Sequence, residues 1–257
     1  LENIKKWEIE KKEFLVDDNA CYIAVDTDDP NAFYGVDEEK IAKHVFAKNK
    51  AFKRYRDAVM KNGIRWCVIA MPSISWANTV FKNDNNAEET LFNHIANAVK
   101  LYDDDPIKSW DAHIKTLNRR AKFLNDNNFY ALKFKNNLGT DLTVGLAKNH
   151  IFQSAEELAQ DKIKFVANMP TEEIFTAPHN LRVNGIVKNA LPLSFNGNII
   201  DKFSLTFKDG KIIDYSAEVG FNTLKSLIET DEGTLSIGEV ALIGKNSPIA
   251  KSGVLFY

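Results

Sequence analysis

Two adjacent glutamates stand between two prolines in "NMPTEEIFTAPHN", residues 168–180. They could open a helix, form a solvated pair, or supply chemistry. As a helix start, Thr171 would cap and Glu172 and Glu173 would meet the positive end of the dipole. The residues that follow, Ile174 to Ala177, favour a strand, and Pro178 would end a helix after barely one turn. In a strand, neighbouring side chains point to opposite faces, so one of the two glutamates faces inward. Glu239, in "LSIGEVALIGKN", is a second acid set among strand-forming apolar residues. A carboxylate there is costly unless it is paired, neutral or bound to a cation. Either Glu239 lies on an edge strand and faces water, or it converges with Glu172 or Glu173 on a divalent metal. Carboxylate oxygens suit Zn²⁺, Mn²⁺, Co²⁺ or Mg²⁺, and a cation would remove the repulsion between the two acids.

Other chemistries lack their residues. The sequence holds no Gly-rich phosphate loop, no strand–GxGxxG–helix unit, no GxSxG elbow, no HExxH helix and no CxxC pair. The five histidines are scattered; His94 and His113 fall on expected helices, where they read as solvated or satisfied side chains.

The elements that must position the acids change character along the chain. "ACYIAV" (20–25) and "IRWCVIA" (64–70) are short apolar runs suited to strands buried on both faces of a parallel sheet. Residues 38–61 between them read as a helix stopped by Gly63. A helix from Ala87 to Tyr102 is expected, with Asn86 as its cap and Glu89 completing a box. A third helix starts at Pro106, with a stripe of Ile107, Trp110, Ile114, Leu117, Ala121 and Leu124. Beyond about Asn125 the pattern becomes antiparallel. A hairpin turns near Asn136–Gly139, and three strands are punctuated by Asn196-Gly197 and Asp209-Gly210. A helix over about 220–230 and a strand "IGEVALIG" follow. The fold class is therefore an α/β front half followed by an antiparallel, β-rich α+β half. The boundary is placed at 125/126: an α/β domain over 1–125 and a β-rich metal-site domain over 126–257.

With a formal charge of −2 and scattered Lys and Arg, the chain shows no nucleic-acid or anionic-membrane footprint. Its apolar runs are too short to span a bilayer. Cys21 and Cys67 sit in apolar runs and read as two lone buried thiols, which fits a reducing compartment.

"NMPTEEIFTAPHNLRVNGIV" and "DEGTLSIGEVALIGKNSPIAKSGVLFY" closely resemble the metallo-aminopeptidases of the aminopeptidase T and aminopeptidase S (PepS) family. "RWCVIAMPSISWA", "DDDPIKSWDAHIKTLNRRAKFLN" and "NNLGTDLTVGLAKNHIF" support the likeness in the same order. The resemblance implies a cytoplasmic exopeptidase, working as a homodimer, that uses two divalent metal ions to remove N-terminal residues from peptides. It assigns Glu173 as a terminal metal ligand and Glu239 as the bridge, and leaves the role of Glu172 open. His179 and Arg182, just past the acidic pair, either touch substrate or brace the loop. It also implies that the chain is truncated at both ends and lacks part of the ligand set, so that it is inactive by itself. Tyr257 is set apart from the family's catalytic tyrosine. The competing readings are a non-catalytic binding or dimerisation module and a metal-free carboxylate-pair glycosidase.

Overall fold

The computed structural model describes residues 4–27, 29 and 32–254; Tyr257 lies outside them. In chain order the elements begin α1 (Lys6–Asp17), β1 (Cys21–Asp26), α2 (Glu38–Ala51), α3 (Lys53–Met60), β2 (Arg65–Ala70), α4 (Ile74–Val80), α5 (Ala87–Ala98) and α6 (Pro106–Asn127). Next come β3 (Ala131–Lys135), β4 (Asp141–Leu146), β5 (Glu156–Leu158), β6 (Lys164–Val166) and β7 (Asn168–Met169). The last are β8 (Glu173–Thr176), β9 (Pro178–Lys188), β10 (Leu193–Phe195), β11 (Asn198–Lys208), β12 (Lys211–Val219), α7 (Phe221–Ile228), β13 (Val240–Ile243) and α8 (Pro248–Ser252). The α/β front and the antiparallel rear are both present.

Two compact units share these elements. One takes the chain up to Asp29, Phe33–Trp110 and Ala155–Thr171; the other takes Asp111–Ser154 and everything from Glu172 onward. The division falls within α6, and the segment from Ala155 returns to the first unit because β7 pairs parallel with β2.

In the first unit the parallel sheet runs β1-β2-β7, with Tyr22 opposite Trp66 and Ala24 opposite Val68. The edge of Tyr22 meets Tyr55 of α3 with ring centroids 6.2 Å apart, and Lys12 of α1 sits 4.5 Å above the Tyr22 ring. These contacts cover one face of β1. On the other, Ile23 is 65 % and Val25 53 % exposed. The expectation that β1 is buried on both faces is therefore corrected: it is an edge strand covered on one side. Cys21 belongs to the open face and is exposed, while Cys67 is half-buried, so the reading of two buried thiols holds for neither in full.

Local signals were met with substitutions of role. Phe52 closes α2 and opens α3, splitting the expected single helix. Asn62, at φ 53°, takes the left-handed conformation expected of Gly63. Gly63 instead donates its N–H to the Ala58 carbonyl, and a Cβ there would sit 3.2 Å from that oxygen. Asn86 is the N-cap residue of α5 as expected, but its side chain makes no capping hydrogen bond; just ahead of the helix Asp84 accepts from the Asn86 N–H at 2.8 Å. Tyr102 lies beyond that helix and is exposed. In α6 Trp110, Leu117 and Ala121 are buried as the stripe requires, whereas Ile107 is exposed in the first turn.

The second unit is built on an antiparallel sheet in the order β10-β11-β9-β4-β3, with β12 pairing β11. Its hairpins turn where the sequence places them. Asn196 and Gly197 have φ of 49° and 67°, and Asp209 and Gly210 have 49° and 83°, as a two-residue turn with both φ positive demands. Ile200 of β11 packs with Leu224 and Ile228 of α7 as a fully buried cluster, flanked by Phe195, Phe203, Leu205 and Tyr215.

Candidate functional site

Strands β8 and β13 form a two-stranded antiparallel ladder in the second unit. Ile243 lies opposite Glu173, Leu242 opposite Ile174, Ala241 opposite Phe175 and Val240 opposite Thr176. Alternation decides which glutamate faces where. Glu172, Ile174 and Thr176 are buried, while Glu173 is exposed. The ladder is anchored on its other side by Phe175, whose backbone exchanges two hydrogen bonds with Gln153 at 2.8 and 3.0 Å. Thr176 Oγ1 donates to the Ile151 carbonyl at 2.9 Å.

Glu239 immediately precedes β13 and reaches solvent. Loss of hydration pushes the Glu173 carboxyl above the usual carboxylate range, and the negative charge of Glu239 pushes it further. The two acids are thus close enough to repel one another although far apart in sequence. That is the electrostatic condition a cation would relieve. Oxygen donors of this type fit a hard or borderline divalent ion. Among the described residues, no group of three or more His, Cys, Asp or Glu side chains stands in position to hold a metal.

Glu172 takes no part in that exposed pair. Its Oε1 is buried without a hydrogen-bond partner and lies 3.6 Å from Nε2 of His113 on α6, too long for a hydrogen bond. The His113 and Glu172 side chains are 12 % and 7 % exposed. His113 was the functional-looking residue that sequence reading passed over. A signal was present: it stands three residues after Trp110 and four before Leu117, on the helix's buried stripe.

His179 and Arg182 lie on β9 and are engaged locally. His179 Nδ1 accepts the Leu181 N–H at 3.1 Å. The Arg182 guanidinium stacks 4.0 Å over the Tyr130 ring and donates to the Leu146 carbonyl. Gly145 makes room for it; a Cβ there would come within 2.5 Å of the Arg182 Cβ. Among the described residues neither side chain pairs with Glu173 or Glu239. No described helix is long and apolar enough to cross a membrane.

Comparison with known proteins shows the family and the fold. The family model described as thermophilic metalloprotease (M29) matches residues 1–257. Aminopeptidase AmpS of Bacillus subtilis (strain 168) is 38 % identical over 258 residues, which is 100 % of this chain and 63 % of the relative. Aminopeptidase PepS of Streptococcus thermophilus is 38 % identical over 260 residues, again covering 63 % of the relative. The solved structure of wild-type AmpT from Thermus thermophilus superposes with a TM-score of 0.91 at 33 % identity, over 99 % of this chain and 63 % of that one. The chain thus spans about 63 % of the length of the curated relatives it matches.

Proposed function

The chain belongs to the thermophilic metalloprotease (M29) family, and on that premise we propose that it forms part of a cytoplasmic, homodimeric aminopeptidase that releases N-terminal residues from peptides with the help of two divalent metal ions. The observation that carries this reading is that two acids distant in sequence flank one short ladder on the same strand pair, Glu173 opposite Ile243 and Glu239 just before Val240, with the charge of Glu239 helping to raise the Glu173 carboxyl. In it, Glu173 and Glu239 would help to hold the ions, Glu173 as a terminal ligand and Glu239 as the shared one. Divalent ions there supply Lewis-acid polarisation of the scissile carbonyl and a lowered pKa for water. What the protein contributes is position. The ladder fixes the spacing of the two carboxylates, and burial of the Ile174 face keeps Glu173 turned toward the open side. Glu172, just before β8, faces His113 of α6 at 3.6 Å and stays clear of the acidic pair. Arg182 braces β9 through Tyr130 and Leu146 rather than touching substrate.

Because the described residues bring together no group of three donors, the 257-residue chain alone is expected to hydrolyse a leucyl chromogenic substrate far more slowly than its full-length relatives, even with Co²⁺ or Zn²⁺ added. Turnover comparable to theirs would refute that. Calorimetric titration with Zn²⁺ or Co²⁺ tests the ligand assignment. Glu173→Gln and Glu239→Gln should each weaken divalent-ion binding by tenfold or more, and unchanged affinity in both would sink the metal reading. That outcome would favour the second reading, a non-catalytic binding or dimerisation module, which the lack of a described three-donor cluster also permits.

A further inference from the structure

In the first unit, α3 and the parallel sheet enclose a cleft of about 410 Å³. The sheet supplies Tyr22, which stands opposite Trp66, and Val68, two residues further along the same face. The helix supplies Tyr55 and Val59, four residues apart and so on one side of α3, with exposed Met60 at the lip. These walls are aromatic and apolar, but the charge around them is positive. Lys12 of α1 places its Nζ 4.5 Å above the Tyr22 ring and 4.7 Å above the Tyr55 ring, and donates to the Tyr22 hydroxyl at 3.4 Å. No carboxylate among the described residues pairs with that ammonium. Arg56 also lines the cleft. The acid among the lining residues, Asp57, is engaged by Lys53: the hydrogen bond from Lys53 holds its carboxyl below the usual range, and the charges of Lys61 and Arg56 add to this.

A phenol oxygen that accepts from an ammonium keeps its own proton to donate. Among the described residues the Tyr22 hydroxyl donates to no acceptor. An ammonium and a hydroxyl side by side, next to an aromatic wall, match an anionic oxygen group carried on a flat apolar body. Charge-assisted hydrogen bonds hold the anion, and aromatic walls hold a ring through edge-to-face and offset contacts. Lys12, Arg56 and Lys61 disfavour a cationic ligand, and an aliphatic acid would leave the aromatic walls unused. The volume falls in the range of small-ligand sites. We propose that this cleft binds a small aromatic carboxylate, with its charged oxygens at Lys12 Nζ and the Tyr22 hydroxyl and its ring against Trp66 and Val59. The inference does not rest on the aminopeptidase reading: every residue it uses belongs to the first unit, whereas Glu173 and Glu239 belong to the second.

The test sets charge against ring. The metal-free chain is titrated calorimetrically with phenylacetate, with phenylacetamide and with hexanoate. Phenylacetate should bind about tenfold or more tightly than either the amide, which lacks the charge, or hexanoate, which lacks the ring. Lys12→Gln should abolish the preference for acid over amide, Lys12→Arg should keep part of it, and Tyr22→Phe should weaken the acid, all at unchanged thermal melting. Arg120→Gln, which removes an exposed cation of the second unit, should leave binding of the acid as it is. Equal binding of acid and amide by the unaltered chain, or binding of neither up to millimolar concentration, overturns the proposal, and this comparison needs no variant to fold. An acid preference that survives Lys12→Gln in a folded chain, or that Arg120→Gln removes, overturns it as well.

Discussion

Strand β1, an apolar run, and strand β11, a mixed one with Asp201, Lys202 and Lys208 among its apolar residues, meet different surroundings. β1 alternates: Tyr22 and Ala24 face the helices while Ile23 and Val25 are mostly exposed. β11 is paired along its length by β9, β10 and β12, and α7 lies over it, so Ile200 is fully buried and Phe207 nearly so. The more apolar strand is therefore the half-covered edge in one unit, and the mixed one is the central core strand in the other. What differs is the number of neighbours, which is set by distant parts of the chain.

Mutations can break or sharpen this contrast. The largest effect is expected in the second unit's core. Ile200→Ala should lower unfolding stability by about 2–5 kcal/mol, read as a shift of the urea midpoint. A loss under about 1 kcal/mol would mean that the cluster with Leu224 and Ile228 is loosely packed. Gly210→Ala comes next. Its φ is 83°, and a Cβ would meet the Asn180 carbonyl oxygen at 1.7 Å. More than about 1 kcal/mol should be lost, because β9 must move aside. On the open face of β1, Ile23→Thr should change stability by no more than about 0.5 kcal/mol. A large loss there would show that something covers that face. The smallest effect concerns charge. Asp141 is held below the usual carboxylate range, first by the hydrogen bond from Lys133 and then by its charge. A depressed folded pKa contributes stability above the unfolded pKa of about 3.9, and this is lost as pH falls through the folded value. Asp141→Asn should therefore slightly lower stability near neutrality, leave it unchanged well below the folded pKa, and so flatten the acid limb of a stability–pH curve.

Legibility followed the range of the forces involved. The Asn196-Gly197 and Asp209-Gly210 turns were readable because each residue's own φ preference fixes the backbone. The α6 stripe was readable because its period is intrinsic to the helix. That Glu172 and Glu173 face opposite ways also follows from a strand's period. Which of them is buried does not, since it depends on α6 and His113 arriving from elsewhere. The same limit hid the return of Ala155–Thr171 to the first unit, which rests on a two-residue pairing of β7 with β2. It also hid β9, whose Gly185 looks like a strand breaker in sequence. In the fold a Cβ there would lie 2.1 Å from the Asp141 carbonyl oxygen, so the glycine permits the β4–β9 approach. Asn86 stands at the N-cap of α5 as its residue type suggests, yet its side chain makes no capping hydrogen bond, since residue type does not fix where the side chain turns.

The β8–β13 ladder joins segments about 60 residues apart, and closing such a loop costs on the order of 4 kcal/mol in chain entropy. The acidic pair therefore does not exist in a newly made or partly folded chain; it is created when the last strand docks. A protease nick between Thr176 and Val240 would put the two glutamates on separate fragments, and their meeting would then depend on the pairings among β4, β9, β11 and β12 that hold the cut ends in one sheet.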